Sequence, residues 1–360
     1  MTKNRQNMEN PKRRKKSARF AEIAALAGVS IATVDRVLNE RDSASFKARE
    51  RVVQAARQLG IPRVLPETQH GLIHVDIVLP DNPSPFFQRL KLAMKRGVAM
   101  LDKRLVVHHV TTPEEDEAAF IRAVGPRRYP RKALIVSAPD TQGVRQALQA
   151  ARVRGEHVAM VVTRVNGVSN ADYVGIDHHA AGRTAGYLLG RLCHKRGHVL
   201  ILSSRNDYSG HIERSEGCRE VLTTQFPHLR FDVDATETHD DPDKCYWAVR
   251  QALQAKGGIV GLYNTGAGSP GIRAALQRYA GHKVCWVTHE ISDDHREYLY
   301  QGVLDVVIDQ DPDTQAIRAL QNVLAAVGMT PAVTQLEQPG DFRLYFAENM
   351  GRQPYLGSEK

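Results

Sequence analysis

Five polar side chains stand just beyond runs of β-branched residues, where a sheet would deliver them to one edge. Asp140 follows ALIVSAP, Arg164 follows VAMVVT, Asn264 follows GIVGLY, Glu290 ends VCWVTHE and Gln310 ends VVIDQ; a sixth, Arg214, lies in ERSEGC. Carboxylates, guanidiniums and amides together supply the paired donors and acceptors that a hydroxyl-rich small molecule needs. Phe86 and Phe87 in DNPSPFF add an aromatic face for the apolar side of a sugar ring, although one of such a pair is normally core. Strand-end turn chemistry is the plain alternative for the polar set.

A second chemistry is written into residues 18–39, ARFAEIAALAGVSIATVDRVLN. Phe20, Ile23, Ala24 and Ala27 repeat at helical spacing, and Val34, Val37 and Leu38 do so after Gly28. Ser30 is placed to cap the second helix through the Thr33 amide. Ile31, Ala32, Asp35 and Arg36 then face away from the shared core near the start of that helix, where a major-groove reader presents side chains to base edges. Val52, Val53, Ala56 and Leu59 would close a three-helix unit ending at Gly60.

A third pattern points elsewhere. GAGSPG, residues 266–271, satisfies GxGxxG after a strand, with Glu290 about 19 positions on, as a dinucleotide fingerprint would. Pro270 removes a backbone donor where a pyrophosphate would sit, and a single glycine fingerprint is weak. The pairs His108/His109 and His178/His179 read as incidental, because neighbours in sequence point differently. There is no GxSxG elbow, no HExxH and no P-loop lysine, so no catalysis, metal or cofactor is expected.

The elements that position these groups follow from periodicity. From Leu72 onward, short apolar runs alternate with amphipathic helices, a series of βαβ units and hence parallel sheet covered by helices. So many strands exceed one comfortable sheet, and the polar stretch 164–170 is the expected division between two doubly wound lobes. Ligands in open α/β sheets sit beyond the carboxyl ends of strands, which is where the polar set lies.

Charge is concentrated. The 360-residue chain carries a formal net charge of +9, and its first 63 residues hold 15 Lys and Arg against 6 Asp and Glu, so the remainder is balanced. A basic module on a neutral body suits phosphate contact with counterion release. The run Lys12 to Lys16 reads either as an arm that adds affinity for nucleic acid or as a solubilising tail. Four scattered cysteines without a CxxC pair argue against a disulfide framework and fit a reducing compartment. Glu22 interrupts the nearest apolar stretch, so neither a secretory signal nor a membrane span is expected.

AALAGVSIATVDRVLN, followed by ARERVVQAARQLG, resembles the headpiece of the LacI family of transcriptional regulators, and the pattern from Leu72 to Asn349 resembles the periplasmic sugar-binding fold which that family uses as its effector domain. The resemblance implies an all-α helix-turn-helix headpiece followed by an α/β body of two doubly wound parallel-sheet lobes. By position it makes Ile31, Ala32 and Arg36 base readers, with Ser30, Thr33 and Asn39 on phosphates and Arg63 the remaining basic contact of the connector. It selects Phe86, Phe87, Asp140, Arg164, Arg214, Asn264, Glu290 and Gln310 for the effector. Asp35 departs from the family's small hydroxyl residue, and Glu290 from its usual Asp, which suggests a differently shaped ligand.

The division implied is a basic arm over 1–17, a DNA-binding domain over 18–60, a hinge over 61–71, an effector domain over 72–349 and a tail over 350–360. Within the effector domain, lobe 1 takes 72–164 and 311–331, and lobe 2 takes 165–310 and 332–349. The connector IPRVLPETQHGLIH carries Pro62 and Pro66 and only Arg63, so the family's hinge helix, with Leu65 as the candidate minor-groove wedge, is expected to be weakened or absent. The expected partners are operator DNA, a sugar or polyol effector and a second copy of the chain. The expected role is a cytoplasmic, nucleoid-associated repressor of carbohydrate uptake or catabolism genes. An NAD(P)-binding oxidoreductase using residues 266–271, and a solute-binding protein without DNA function, are the alternatives.

Overall fold

The computed structural model describes residues 16–39, 44–59, 72–255, 258–331 and 339–351. The chain divides into two compact units at Leu72/Ile73. The expectations for the basic run below residue 16, for Arg63 and the hinge with Leu65, and for the tail beyond residue 351 lie outside the described residues.

The smaller unit contains α1 (Lys16–Ala27), α2 (Ile31–Leu38) and α3 (Phe46–Gln58). Gly28, at φ 62°, turns the chain out of α1, and Ser30 Oγ accepts the Thr33 amide at 3.1 Å, so the cap expected from sequence forms. Ile23, Ala27, Val34, Val37, Val52, Val53 and Ala56 are buried together in one core, with Phe20 packed against it. Two boundaries change: α1 begins at Lys16, inside the stretch assigned to the arm, and Leu59 is exposed instead of closing the core.

The larger unit opens with β1 (Ile73–Pro80), α4 (Pro85–Ala99), β2 (Leu105–Thr112), α5 (Glu117–Val124), β3 (Arg131–Val136), α6 (Gln142–Val153), β4 (His157–Val161) and β5 (Asp172–Val174). Their strands form a parallel sheet in the order β2-β1-β3-β4-β5. Continuous apolar runs such as ALIV in β3 and VAMV in β4 are buried on both faces, as a helix-covered parallel sheet requires.

The second sheet belongs to α7 (His178–Leu192), β6 (Gly197–Ser203), α8 (Ser209–Gln225), β7 (Leu229–Phe231), β8 (Thr236–Glu237), α9 (Pro242–Ala255), β9 (Ile259–Asn264), α10 (Ser269–Tyr279), β10 (Cys285–His289), α11 (Asp293–Tyr300) and β11 (Val306–Asp309). Then α12 (Pro312–Ala326) packs on the first sheet through Ala316, Ala319, Leu320 and Val323. The last strand, β12 (Arg343–Tyr345), adds antiparallel to β11, giving the order β12-β11-β10-β9-β6-β7 with β8 on β6. Residues 231–236, FDVDAT, do not form one strand: β7 ends at Phe231 and β8 begins at Thr236.

The lobe boundary needs correction. β5 pairs with β4, Met160 opposite Tyr173, so lobe 1 runs through Val174 and the chain crosses at residues 175–177, not at 164/165. Two crossing segments are tied where Ile176 bridges Gly340 and the Gly340 amide donates to the Gly175 carbonyl at 2.7 Å.

Candidate functional site: a closed polar cleft and a recognition helix

The carboxyl ends of both sheets face each other across a cavity of about 520 Å³, within the usual span of small-molecule sites. Lobe 1 contributes Asn82, Phe86, Phe87, Glu114 and Thr163 to its lining. Lobe 2 contributes His178, Arg205, Tyr208, His211, Arg214, Asp240, Thr265, Ser269, His289, Glu290, His295 and Gln310.

The lobes are bonded to one another around this cavity. Asn82 Nδ2 donates to Glu114 at 3.2 Å within lobe 1 and to Asp240 Oδ2 at 3.2 Å across the gap. Arg205 Nη1 reaches Glu115 of lobe 1 at 2.5 Å, while its Nε and Nη2 hold Asp207 at 2.9 and 2.6 Å. Ser209 Oγ donates to the Arg164 carbonyl at 2.8 Å, and the Asp140 amide donates to the Asp207 carbonyl at 2.7 Å. The cleft is closed.

Arg214 is the buried cation of the site, 4 % exposed. Its Nη1 donates to the Thr265 carbonyl at 2.6 Å and its Nε to His178 Nδ1 at 3.2 Å. His178 Nε2 donates to the Val162 carbonyl at 2.6 Å, so the ring is neutral with its proton on Nε2. Burial, reinforced by Arg214, holds the His178 pKa well below its ordinary value. The local sequence permits this because Gly182 lets α7 and α8 touch: a Cβ there would stand 2.0 Å from the Arg214 carbonyl oxygen.

Glu290 sits at φ 62°, a left-handed conformation that a non-glycine residue adopts at a cost. Gln310 Nε2 donates to its Oε1. Burial and then Asp309 push the Glu290 carboxyl up to about 8, against the pull of Arg214. His295 Nδ1 donates to the Glu290 carbonyl, which leaves Nε2 to accept the Ser269 hydroxyl at 2.6 Å. Tyr208 Oη, His289 Nδ1, Glu290 Oε2 and Gln310 Oε1 are buried in the cavity lining with no hydrogen-bond partner. Four orphans in one lining are what a polar ligand would complete.

Phe86, Phe87, Arg214, Glu290 and Gln310 therefore lie where the sequence placed them, the two rings T-shaped at 5.3 Å. Three others do not. Asp140 is captured outside the cavity by Arg145 Nε at 2.5 Å and Asn166 Nδ2 at 2.7 Å. Arg164 is exposed and lies 4.3 Å over the Tyr173 ring. Asn264 is fully buried behind the lining, donating to the Gly266 and Ala267 carbonyls at 2.9 and 2.8 Å, so it shapes the loop and does not face the cavity.

His178, set aside as incidental, lines the cavity, as do Asn82, Glu114, His211 and Asp240, which the sequence reading missed. A glycine every fourth residue, Gly182, Gly186 and Gly190, was the available signal for a close α7–α8 contact bringing Arg214 inward. In the GAGSPG loop, the Ala267 amide donates to Asp240 at 2.6 Å and the Gly271 amide to the Gly268 carbonyl at 3.1 Å. With Pro270 lacking a donor, those groups are spent before any pyrophosphate arrives. No group of three or more metal-ligating side chains occurs among the described residues.

In the smaller unit Ile31, Ala32 and Arg36 are exposed on α2, and the Ser30 and Thr33 hydroxyls lie 2.9 Å apart beside them. Asp35 accepts Asn39 Nδ2 at 2.7 Å. That bond places a donor beside the carboxylate that departs from the family pattern.

Comparison with known proteins gives two family matches: the family described as bacterial regulatory proteins, lacI family, over residues 20–61, and the periplasmic binding protein domain over residues 75–329. The chain is 31% identical over 108 residues to the ribose operon repressor of Halalkalibacterium halodurans, covering 29% of this chain and 32% of that protein. It is 38% identical over 74 residues to the HTH-type transcriptional regulator MalR of Streptomyces coelicolor, covering 21% and 22%. The matches thus span a third or less of these curated relatives. Among solved structures, a solute-binding protein from Burkholderia graminis in complex with D-arabinose aligns with TM-score 0.70 at 17% identity, over 79% of this chain and 99% of that one. Another from Bacillus halodurans with bound myo-inositol aligns with TM-score 0.70 at 17% identity, over 78% and 96%. At that identity the likeness is one of fold. With the helix-turn-helix first and the two-lobed body after it, the chain carries a lacI-family DNA-binding domain at its N-terminal end, and its larger unit belongs to the periplasmic binding protein domain family.

Proposed function

We propose that the protein is a sequence-specific DNA-binding regulator, a repressor of carbohydrate uptake or catabolism genes, whose affinity for operator DNA is set by a sugar or polyol in the cleft. The observation that carries this reading is the presence in one chain of an exposed α2 face, Ile31, Ala32 and Arg36, and a closed cavity lined by four unpartnered polar atoms. The names of the relatives, a ribose operon repressor among them, and the D-arabinose and myo-inositol held by fold neighbours support it. Two copies of the chain would read the half-sites of a pseudo-palindrome, and the protein would act in the cytoplasm at the nucleoid. It would sense and not catalyse.

Phosphate contacts by Ser30, Thr33 and Asn39 would fix the register of α2, and Arg36 would read a base edge. Ligand bound between the lobes would favour the closed arrangement by completing the orphaned groups. Coupling to DNA then requires a difference in ligand affinity between DNA-competent and incompetent states, usually about 1 to 3 kcal/mol. A gel shift on the gene's own upstream region, repeated with a sugar panel and with NAD, tests the reading. A retarded band altered by a sugar supports it; retardation by no DNA, or turnover of a sugar or NAD-linked substrate, opposes it.

A further inference from the structure

We infer that the cleft ligand is a polyol carrying a protonated amino group, an amino sugar or amino-polyol, and that phosphorylated and acidic sugars are excluded. The inference rests on the reading of the cleft as a polyol site and specifies its ligand.

The argument begins with charge. Five carboxyl groups, Glu114, Asp240, Asp241, Glu290 and Asp294, line the cavity against two guanidiniums, Arg205 and Arg214, with no lysine among the lining residues. Arg205 is already clamped by Asp207 and Glu115. Arg214 has spent Nε and Nη1 on His178 and Thr265. Four of the five lining histidines bring no compensating charge, because burial holds His178, His211, His289 and His295 below their ordinary pKa; the fifth, His239, stands beside Glu115 and Glu237. A phosphate or carboxylate placed here would meet surplus negative charge and few free donors.

The second observation is independent of charge. Glu290 Oε2 and Gln310 Oε1 are buried, belong to residues joined by a hydrogen bond, and have no partner. Gln310 is 4 % exposed. The Gln310 carbonyl oxygen only accepts, and so does Glu290 Oε2 once its carboxyl is ionised, so a cationic donor that ionises the carboxyl completes both atoms; an ammonium offers three donors with that compensating charge. The raised Glu290 carboxyl agrees: its surroundings lack the cation that would hold it ionised, and a bound ammonium would supply one. At the lobe junction the Asn82 amide nitrogen uses its two hydrogens on Glu114 and Asp240, which brings two further carboxyl groups together beside the cavity. Phe86 and Phe87 supply an apolar surface for the carbon skeleton.

Isothermal titration calorimetry of the full chain with matched sets tests this: D-glucosamine, D-galactosamine and D-mannosamine, each against its parent hexose, the hexose 6-phosphate and the uronate. In at least one set the amine should bind about tenfold tighter than the parent, with no binding of phosphate or uronate. Glu290→Gln should lower affinity for both and remove the amine's preference, bringing amine and parent to within about twofold of each other, with the fold checked by thermal unfolding. A parent that binds as well as its amine, an acidic sugar that binds, or an amine indifferent to Glu290→Gln overturns the inference while leaving a polyol site in place. Absence of binding across every set overturns the polyol reading and the inference with it.

Discussion

Asn82 Nδ2, in the loop after the first strand of lobe 1, lies 3.2 Å from Asp240 Oδ2 in lobe 2, and the same nitrogen donates to Glu114. One amide thus joins the lobes and separates two carboxylates. Asn82→Ala should destabilise the closed cleft by about 1.5 to 3 kcal/mol, the range for a hydrogen bond to a charged group. Hydrogen–deuterium exchange should rise in the segments around residues 82–87 and 239–242. Unchanged protection there would mean the bridge does not hold the cleft shut.

Gly182 sets the distance between α7 and α8, with no room for a Cβ against the Arg214 carbonyl. Gly182→Ala should separate the helices at a cost of about 1 to 3 kcal/mol, typical of overpacking. Urea denaturation would show the loss. Because the displaced residue is Arg214, sugar affinity should fall more than in a comparably destabilised variant of the smaller unit.

His211 is held down to about 4 by burial first and then by Arg214, against an ordinary value of 6.5. A depressed folded pKa contributes stability above the unfolded value that is lost as pH falls toward the folded one. Relative to the native chain, His211→Gln should therefore gain stability between about pH 6.5 and pH 4. Glu290, raised to about 8, has the opposite sign: its contribution is present below about 4.5 and lost as pH rises through about 8. Glu290→Gln should accordingly gain relative stability as pH rises from about 4.5 to about 8. Denaturation midpoints against pH for the three proteins read both slopes, and parallel curves would count against the burial assigned to these groups.

Arg36 is exposed on α2, whereas Asp35 and Asn39 are bonded to one another beside it. Arg36→Ala should cost about 1 to 3 kcal/mol of DNA affinity concentrated at one base position, as loss of a base contact does. Ser30→Ala should cost about 1 kcal/mol of headpiece stability through the lost cap and weaken binding to all sequences alike. Anisotropy titrations on single-base operator variants separate the two. Equal losses across all positions for both would reverse the roles.

The headpiece was legible from local signals because its core is built from residues close in sequence: Ile23, Ala27, Val34 and Val37 carry the period themselves. The two lobes were legible for the same reason, strand by strand. The boundary slipped because β5 is three residues long and follows a polar loop, so its pairing with β4 leaves no mark in composition. In the cleft, strand-end position identified Glu290 and Gln310 but also nominated Asp140, Arg164 and Asn264. Their side chains are taken by Arg145 and Asn166, by Tyr173 and by the loop carbonyls, which no spacing rule announces. His178, His211, His289 and His295 reach one cavity from four segments, a convergence only the fold reveals.

The most direct test of the central claim is the affinity of the full chain for duplex DNA from its own upstream region, measured by fluorescence anisotropy with and without a sugar that calorimetry has shown to fill the cleft, in the native chain and in Arg214→Ala. Predicted is binding at least about 10³-fold tighter than to random DNA, together with a ligand shift of about 5- to 150-fold that Arg214→Ala abolishes. Equal affinity for upstream and random DNA, or an affinity unmoved by a saturating cleft ligand, would contradict it.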